Sequence, residues 1–162
     1  MIFTFKKNIT SSLFLILIFT TIVSCKKNYL EDGLTSLPQA REVNHVFKNT
    51  FVAKKVAFVR NGENKFKFII KLPDNVIKKD VESYSLAIHV FSNSKEIKGK
   101  RKYNYNWDTK PVVETHGKHK YIITETEAPI KFIDSLNLFL YDRDKYKKKS
   151  YGKSLKIRNL GL

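Results

Sequence analysis

From Phe51 to the C-terminus, apolar residues recur at every second position, and no other feature limits the fold of this chain so strongly. A period of two sends alternate side chains to opposite faces of a strand; it does not fit a helix. Between Lys65 and Leu72, for example, Phe66, Phe68, Ile70 and Leu72 share one face, while Lys65, Lys67 and Lys71 share the other with Ile69 as the apolar exception. The preceding run, Phe51–Arg60, is joined to it through Asn61-Gly62, a pair that tolerates positive φ and so favours a hairpin. Pro73-Asp74-Asn75 closes the second run, and Val76–Asp80 suits a helical turn.

The pattern continues downstream. Ser83–Phe91 sets Tyr84, Leu86, Ile88 and Val90 on one face, and Ser135–Tyr141 does the same with Leu136, Leu138 and Leu140. Tyr103–Trp107, Val112–Thr115, Lys120–Glu127 and Ser154–Leu160 complete a set of about eight short strands. His116-Gly117-Lys118-His119 reads as the turn between two of them. With 42% hydrophobic and 28% charged residues the chain is globular, and its 6 glycines and 4 prolines exclude low-complexity classes. Many short strands without a long amphipathic helix predict an all-β fold. We expect an antiparallel β-sandwich of immunoglobulin-like or transthyretin-like type, with a small β-barrel as the alternative.

The N-terminus follows other rules. Lys6 and Lys7 precede an eleven-residue apolar run, Leu13–Val23, too short for the roughly 20 residues of a membrane-spanning helix but suited to a secretory signal. It ends in Ile22-Val23-Ser24-Cys25, and Cys25 is the only cysteine in 162 residues. This segment resembles the lipobox of bacterial lipoproteins. The resemblance implies cleavage before Cys25, a diacylglyceryl thioether on its sulfur and acylation of its amino group. Lys26 in place of an Asp directly after the cysteine resembles the outer-membrane sorting pattern. The expected organisation is a signal peptide over 1–24, a lipidated cysteine and flexible tether over 25–46, and a sandwich over 47–162. Gly33, Pro38 and mixed charge without periodicity suggest the tether, which as a coil would hold the domain about 25 Å from the lipid. With no second cysteine, the mature domain must be held by its core alone.

Charge is the other conspicuous property. Lysine and arginine total 31 against 15 acids, and the net charge is +16, or +14 once Lys6 and Lys7 leave with the leader. Two clusters stand out: Lys95, Lys98, Lys100, Arg101 and Lys102, and then Lys145, Lys147, Lys148, Lys149, Lys153 and Lys156. They could contact anionic glycan or lipid headgroups, but they fit better as the solvated surface of a lysine-biased chain. Only 5 of the 31 bases are arginine, the residue that reads phosphates and base edges in bidentate fashion, which argues against a nucleic-acid partner. Tyr103, Tyr105 and Trp107 share one strand face. Such a row could stack on sugars or anchor a protein, but opposite Asn104, Asn106 and Asp108 it fits better as an inward face.

No arrangement of catalytic type emerges. His116 and His119 lack the third and fourth ligands that a metal site needs. Glu125 and Glu127 share a strand face near Lys118, Lys120 and Lys131, the setting of surface ion pairs. P-loop, dinucleotide and nucleophile-elbow motifs are absent from the sequence. The reading is therefore non-enzymatic and without cofactor beyond the lipid. It is a membrane-anchored envelope lipoprotein whose acyl chains enter the bilayer and whose sandwich binds or scaffolds another envelope protein. The alternative is a surface-displayed binder of an anionic glycan or host molecule through the lysine clusters.

Overall fold

Alternation along the chain becomes two packed sheets. The computed structural model describes residues 28–48, 50–92, 103–127, 133–141, 150–158 and 160. The described strands are β1 (Arg41–Lys48), β2 (Phe51–Arg60), β3 (Lys65–Lys71), β4 (Ser85–Ser92), β5 (Tyr103–Thr109), β6 (Val113–His116), β7 (His119–Glu127), β8 (Ser135–Tyr141) and β9 (Ser150–Ile157). One short helix, α1 (Lys78–Glu82), follows β3. Sheet A has the order β1-β2-β3-β7-β6 and sheet B the order β5-β4-β8-β9, with every pairing antiparallel.

Taken from β2 onward, the strands follow the immunoglobulin-type connectivity. One sheet is A-B-E-D, the other is C′-C-F-G, and β1 is an extra strand outside A. The expected sandwich is thus present. No ladder joins the two sheets among the described residues, so the fold is not the barrel alternative.

Between the sheets lie the residues that alternation assigned inward. Phe66, Phe68, Ile70 and Leu72 from sheet A meet Leu86, Ile88, Val90, Leu136, Leu138 and Leu140 from sheet B, all at most 1% exposed. Phe58 stacks on Phe66 with ring centroids 5.2 Å apart.

The segment expected to be a flexible tether is folded from Asn28 onward, a correction to the domain boundaries. Residues 28–40 form successive turns across the outer face of sheet A, and Arg41–Lys48 is β1, not coil. Leu34 enters a second apolar cluster with Ala57, Ile69 and Tyr121, bordered by Tyr29, Leu30, Leu37 and Ala40. Ile69, apolar on a face of lysines, is therefore covered rather than exposed. Leu34 holds φ 68°. That left-handed backbone costs a branched residue about 1–2 kcal/mol, a loss that burying a leucine side chain, worth roughly 2 kcal/mol, can offset.

β1 and β9, the outer strands of opposite sheets, abut along one side of the sandwich. Arg41 Nη1 donates to the Arg158 carbonyl at 2.7 Å, and His45 Nε2 lies 3.1 Å from the Lys153 carbonyl. Gly152, at φ 67°, passes so close that a Cβ there would overlap the Phe47 carbonyl. On the other side, α1 reaches sheet A, and Glu82 accepts a 2.8 Å hydrogen bond from the Val113 amide.

Candidate functional site

Of the residues singled out as partner contacts, Tyr103, Tyr105 and Trp107 are described, and they lie on β5 of sheet B. The sites Lys95, Lys98, Lys100, Arg101, Lys102, Lys147, Lys148, Lys149 and the lipidation site Cys25 lie outside the described residues. The strand register nonetheless fixes where their connections start. Residues 93–102 join β4 to β5, leaving at Ser92 and returning at Tyr103, which are register partners. Residues 142–149 join β8 to β9 between Tyr141 and Ser150, again register partners. Because Tyr141 pairs with Ser85 and Ser135 with Phe91, the two connections depart from opposite ends of sheet B. Those ends are separated by the length of β4, about 23 Å at ~3.3 Å per residue. The two connections hold ten bases and three acids, half of the +14 expected of the mature chain.

Of the aromatic row, Trp107 packs against the core between the sheets, with its ring 6.4 Å from that of Phe58. Tyr103 and Tyr105 occupy register positions opposite Ser92 and Val90. An exposed three-ring stacking platform is therefore not formed, since Trp107 serves the core.

The outer face of sheet B is built differently. His89 meets Phe139 edge-on at 4.8 Å, and Tyr141 is buried. At the end from which residues 93–102 depart, a cleft of about 470 Å³ is lined by Phe91, Asp134, Ser135, Asn137, Lys156 and Arg158. Asp134 is fixed there by its amide donating to the Phe91 carbonyl and its carbonyl accepting from the Leu160 amide, each at 3.0 Å. Asn137 brings an acceptor, Oδ1, that is buried without a hydrogen-bond partner among the described residues. Lys156 and Arg158 are both exposed. The cleft thus combines an aromatic wall, an amide, one acid and two bases, a combination that suits a polar or anionic group. Sequence reading counted Lys156 in its basic cluster but did not find the cleft, because Phe91, Asp134 and Arg158 come together only through the register of three strands.

Several other titratable groups are paired. Lys67 Nζ lies 2.8 Å from Glu125 and Lys65 Nζ 3.2 Å from Glu127, so these glutamates are half of cross-strand surface pairs. His116 lies 3.2 Å from Glu114. His119 is turned elsewhere: its Nδ1–H donates to Asp74 Oδ1 at 3.0 Å. That hydrogen bond, together with the charges of His119, Lys71 and Lys118, holds the Asp74 carboxyl below the usual carboxylate range, against the opposing effect of burial. The two histidines, neighbours in sequence, thus serve different acids. Among the described residues no group of three His, Cys, Asp or Glu is placed to hold a metal ion.

Beside this pair, the 28–40 cover closes on the end of β3 and β7. Tyr121 donates its hydroxyl to the Leu30 carbonyl at 2.6 Å. Burial first, and then the negative charges of Asp32 and Asp74, push the Tyr121 phenol up to about 12. A Cβ on Gly33 would stand 2.7 Å from Lys71 Nζ and 3.1 Å from His119 Nε2, a measure of how closely the cover fits.

Comparison with family descriptions, with curated proteins and with solved structures finds no match for this chain.

Proposed function

We propose that the chain is an envelope lipoprotein, acylated at Cys25, whose sandwich is a non-catalytic module that binds or scaffolds another envelope component. The observation that carries the proposal is the placement of the single cysteine. It stands directly behind the apolar run Leu13–Val23 and three residues before Asn28, where the folded cover begins. A lone thiol between an export-type leader and a folded module makes sense as the point of attachment of a lipid. Acyl chains contribute about 0.8 kcal/mol per buried CH2, so two or three of them hold a small domain at a bilayer stably. The sorting pattern at Lys26 favours the outer membrane.

The test is the intact mass of the full chain expressed in a bacterium fed labelled palmitate. The expected product begins at Cys25 and carries the label, while Cys25→Ser carries none. An unlabelled wild-type product, or label retained by Cys25→Ser, overturns the proposal. Mild crosslinking in the native envelope, followed by washes of rising salt, then separates the two kinds of partner. A protein retained at high salt supports the scaffold reading. The cleft with Lys156 and Arg158 favours a second reading, an anionic glycan, whose retention should collapse as salt rises.

A further inference from the structure

We infer that the outer face of sheet A, under its 28–40 cover, is turned toward the anchoring bilayer, with phospholipid headgroups as its partner surface and sheet B facing the aqueous side. This rests on the acylation of Cys25 proposed above. The structure contributes the missing geometry, because the chain is docked on sheet A almost from the lipid onward.

Only Lys26 and Lys27 separate Cys25 from Asn28. Three residue steps span at most about 10 Å even when fully extended. Asn28 has no freedom to drift from there. Its carbonyl accepts from the Glu31 and Asp32 amides, its side chain accepts from the Leu30 amide, and the Leu30 carbonyl accepts from Tyr121 on β7. Leu34, 1% exposed, seats the next turn over Ala57 and Ile69. The attachment point is therefore on the outside of sheet A, within about 10 Å of the headgroup layer. Sheet B stands about 10 Å further away, the usual spacing of packed sheets, behind sheet A and its cover.

The charge distribution agrees with this polarity. On the outer side of sheet A three lysines are matched by acids, Lys55 with Glu42 at 2.8 Å, Lys65 with Glu127 and Lys67 with Glu125, while Lys71 lies beside Gly33 of the cover. Lysines closed into pairs add little net field, so this face can rest against zwitterionic or anionic headgroups without depending on either. The orientation is set by the short covalent link, and a charge-driven docking would instead require anionic lipid.

The experiment places a nitroxide on either layer of the acylated full-length protein. Gln39→Cys, exposed in the cover, reports on sheet A; Lys156→Cys, exposed on β9, reports on sheet B. Cys25 is blocked by its own thioether, so only the introduced thiol takes the label. The protein is reconstituted into phosphatidylcholine vesicles, or vesicles containing phosphatidylglycerol, each doped with a nickel-chelating lipid. The label at position 39 should lose its signal to nickel broadening and the label at position 156 should keep it, alike in both lipids. Protein that does not float with the vesicles overturns the acylation and the orientation together. Protein that floats but shows equal broadening, or broadening only at position 156, overturns the orientation alone. Broadening at position 39 only with phosphatidylglycerol overturns the covalent basis of the orientation.

Discussion

Tyr121 is where the cover and the sheet are joined by a single directed bond. Its ring is buried among Leu34, Ala57 and Ile69, while its hydroxyl reaches the Leu30 carbonyl at 2.6 Å. Tyr121→Phe keeps the ring and leaves that carbonyl without its donor, and should cost about 1 kcal/mol in denaturant unfolding. The phenol also sets an alkaline limit. With a folded value near 12 against an ordinary 10, the unfolded chain ionises first, so stability is full below pH 10 and is lost as pH rises toward 12. Asp74 works in the opposite direction. Its carboxyl is depressed in the folded state, so its contribution is full above the ordinary carboxylate value and is lost as pH falls through the folded one. Unfolding midpoints across pH should therefore lose part of the acid limb in Asp74→Asn and the upper limb in Tyr121→Phe. Neither partner could be read from the sequence. His119 had Glu114 and His116 within reach along the chain, and its choice of Asp74 follows from where the segment after β3 passes the start of β7.

At the scale of elements, the strands were legible wherever alternation was unbroken. Phe51–Arg60 and Ser135–Tyr141 occur with the bounds expected, and the other expected runs occur with their ends displaced by up to four residues. β1 was not legible. Its register shifts between Glu42 and His45 and again between Val46 and Lys48, and Asn44 adopts φ 43°, so its side chains do not keep one parity. The cover has no period at all, because it consists of turns whose apolar residues, Leu30, Leu34 and Leu37, meet a sheet rather than a helix or strand neighbour. Ile69 announced it, as an apolar side chain on a lysine face. The β1–β9 junction supplies a sharp test at this scale. Gly152→Ala would drive a methyl group into the Phe47 carbonyl and disfavour a φ of 67°, whereas Gly62→Ala, at φ 110°, meets no atom within 4 Å. Thermal unfolding should show a much larger loss for Gly152→Ala, about 2 kcal/mol or more, than the roughly 1 kcal/mol of backbone cost at Gly62.

For the whole molecule, the two lysine-rich connections belong to one sheet but to its opposite ends. The sequence could not show this, since the end from which a connection departs is defined only by strand order. The short link to Cys25 carries a prediction at the same scale. Inserting a ten-residue Gly/Ser segment between Lys27 and Asn28 lengthens the reach to a coil dimension of about 18 Å. It should restore the signal of the label at position 39 on vesicles while leaving the unfolding midpoint unchanged. The junction of β1 with β9 has a further consequence, in time rather than in space. Arg41 and Arg158 are 117 residues apart. Contacts of such separation must wait for the loop between them to close, and sandwiches dominated by them fold in milliseconds to seconds. A chain made from its N-terminus presents β1 before β2 to β8, yet β1 gains its second neighbour, β9, only after all of these have been synthesised. Of the described strands, the first to emerge is the last to be completed.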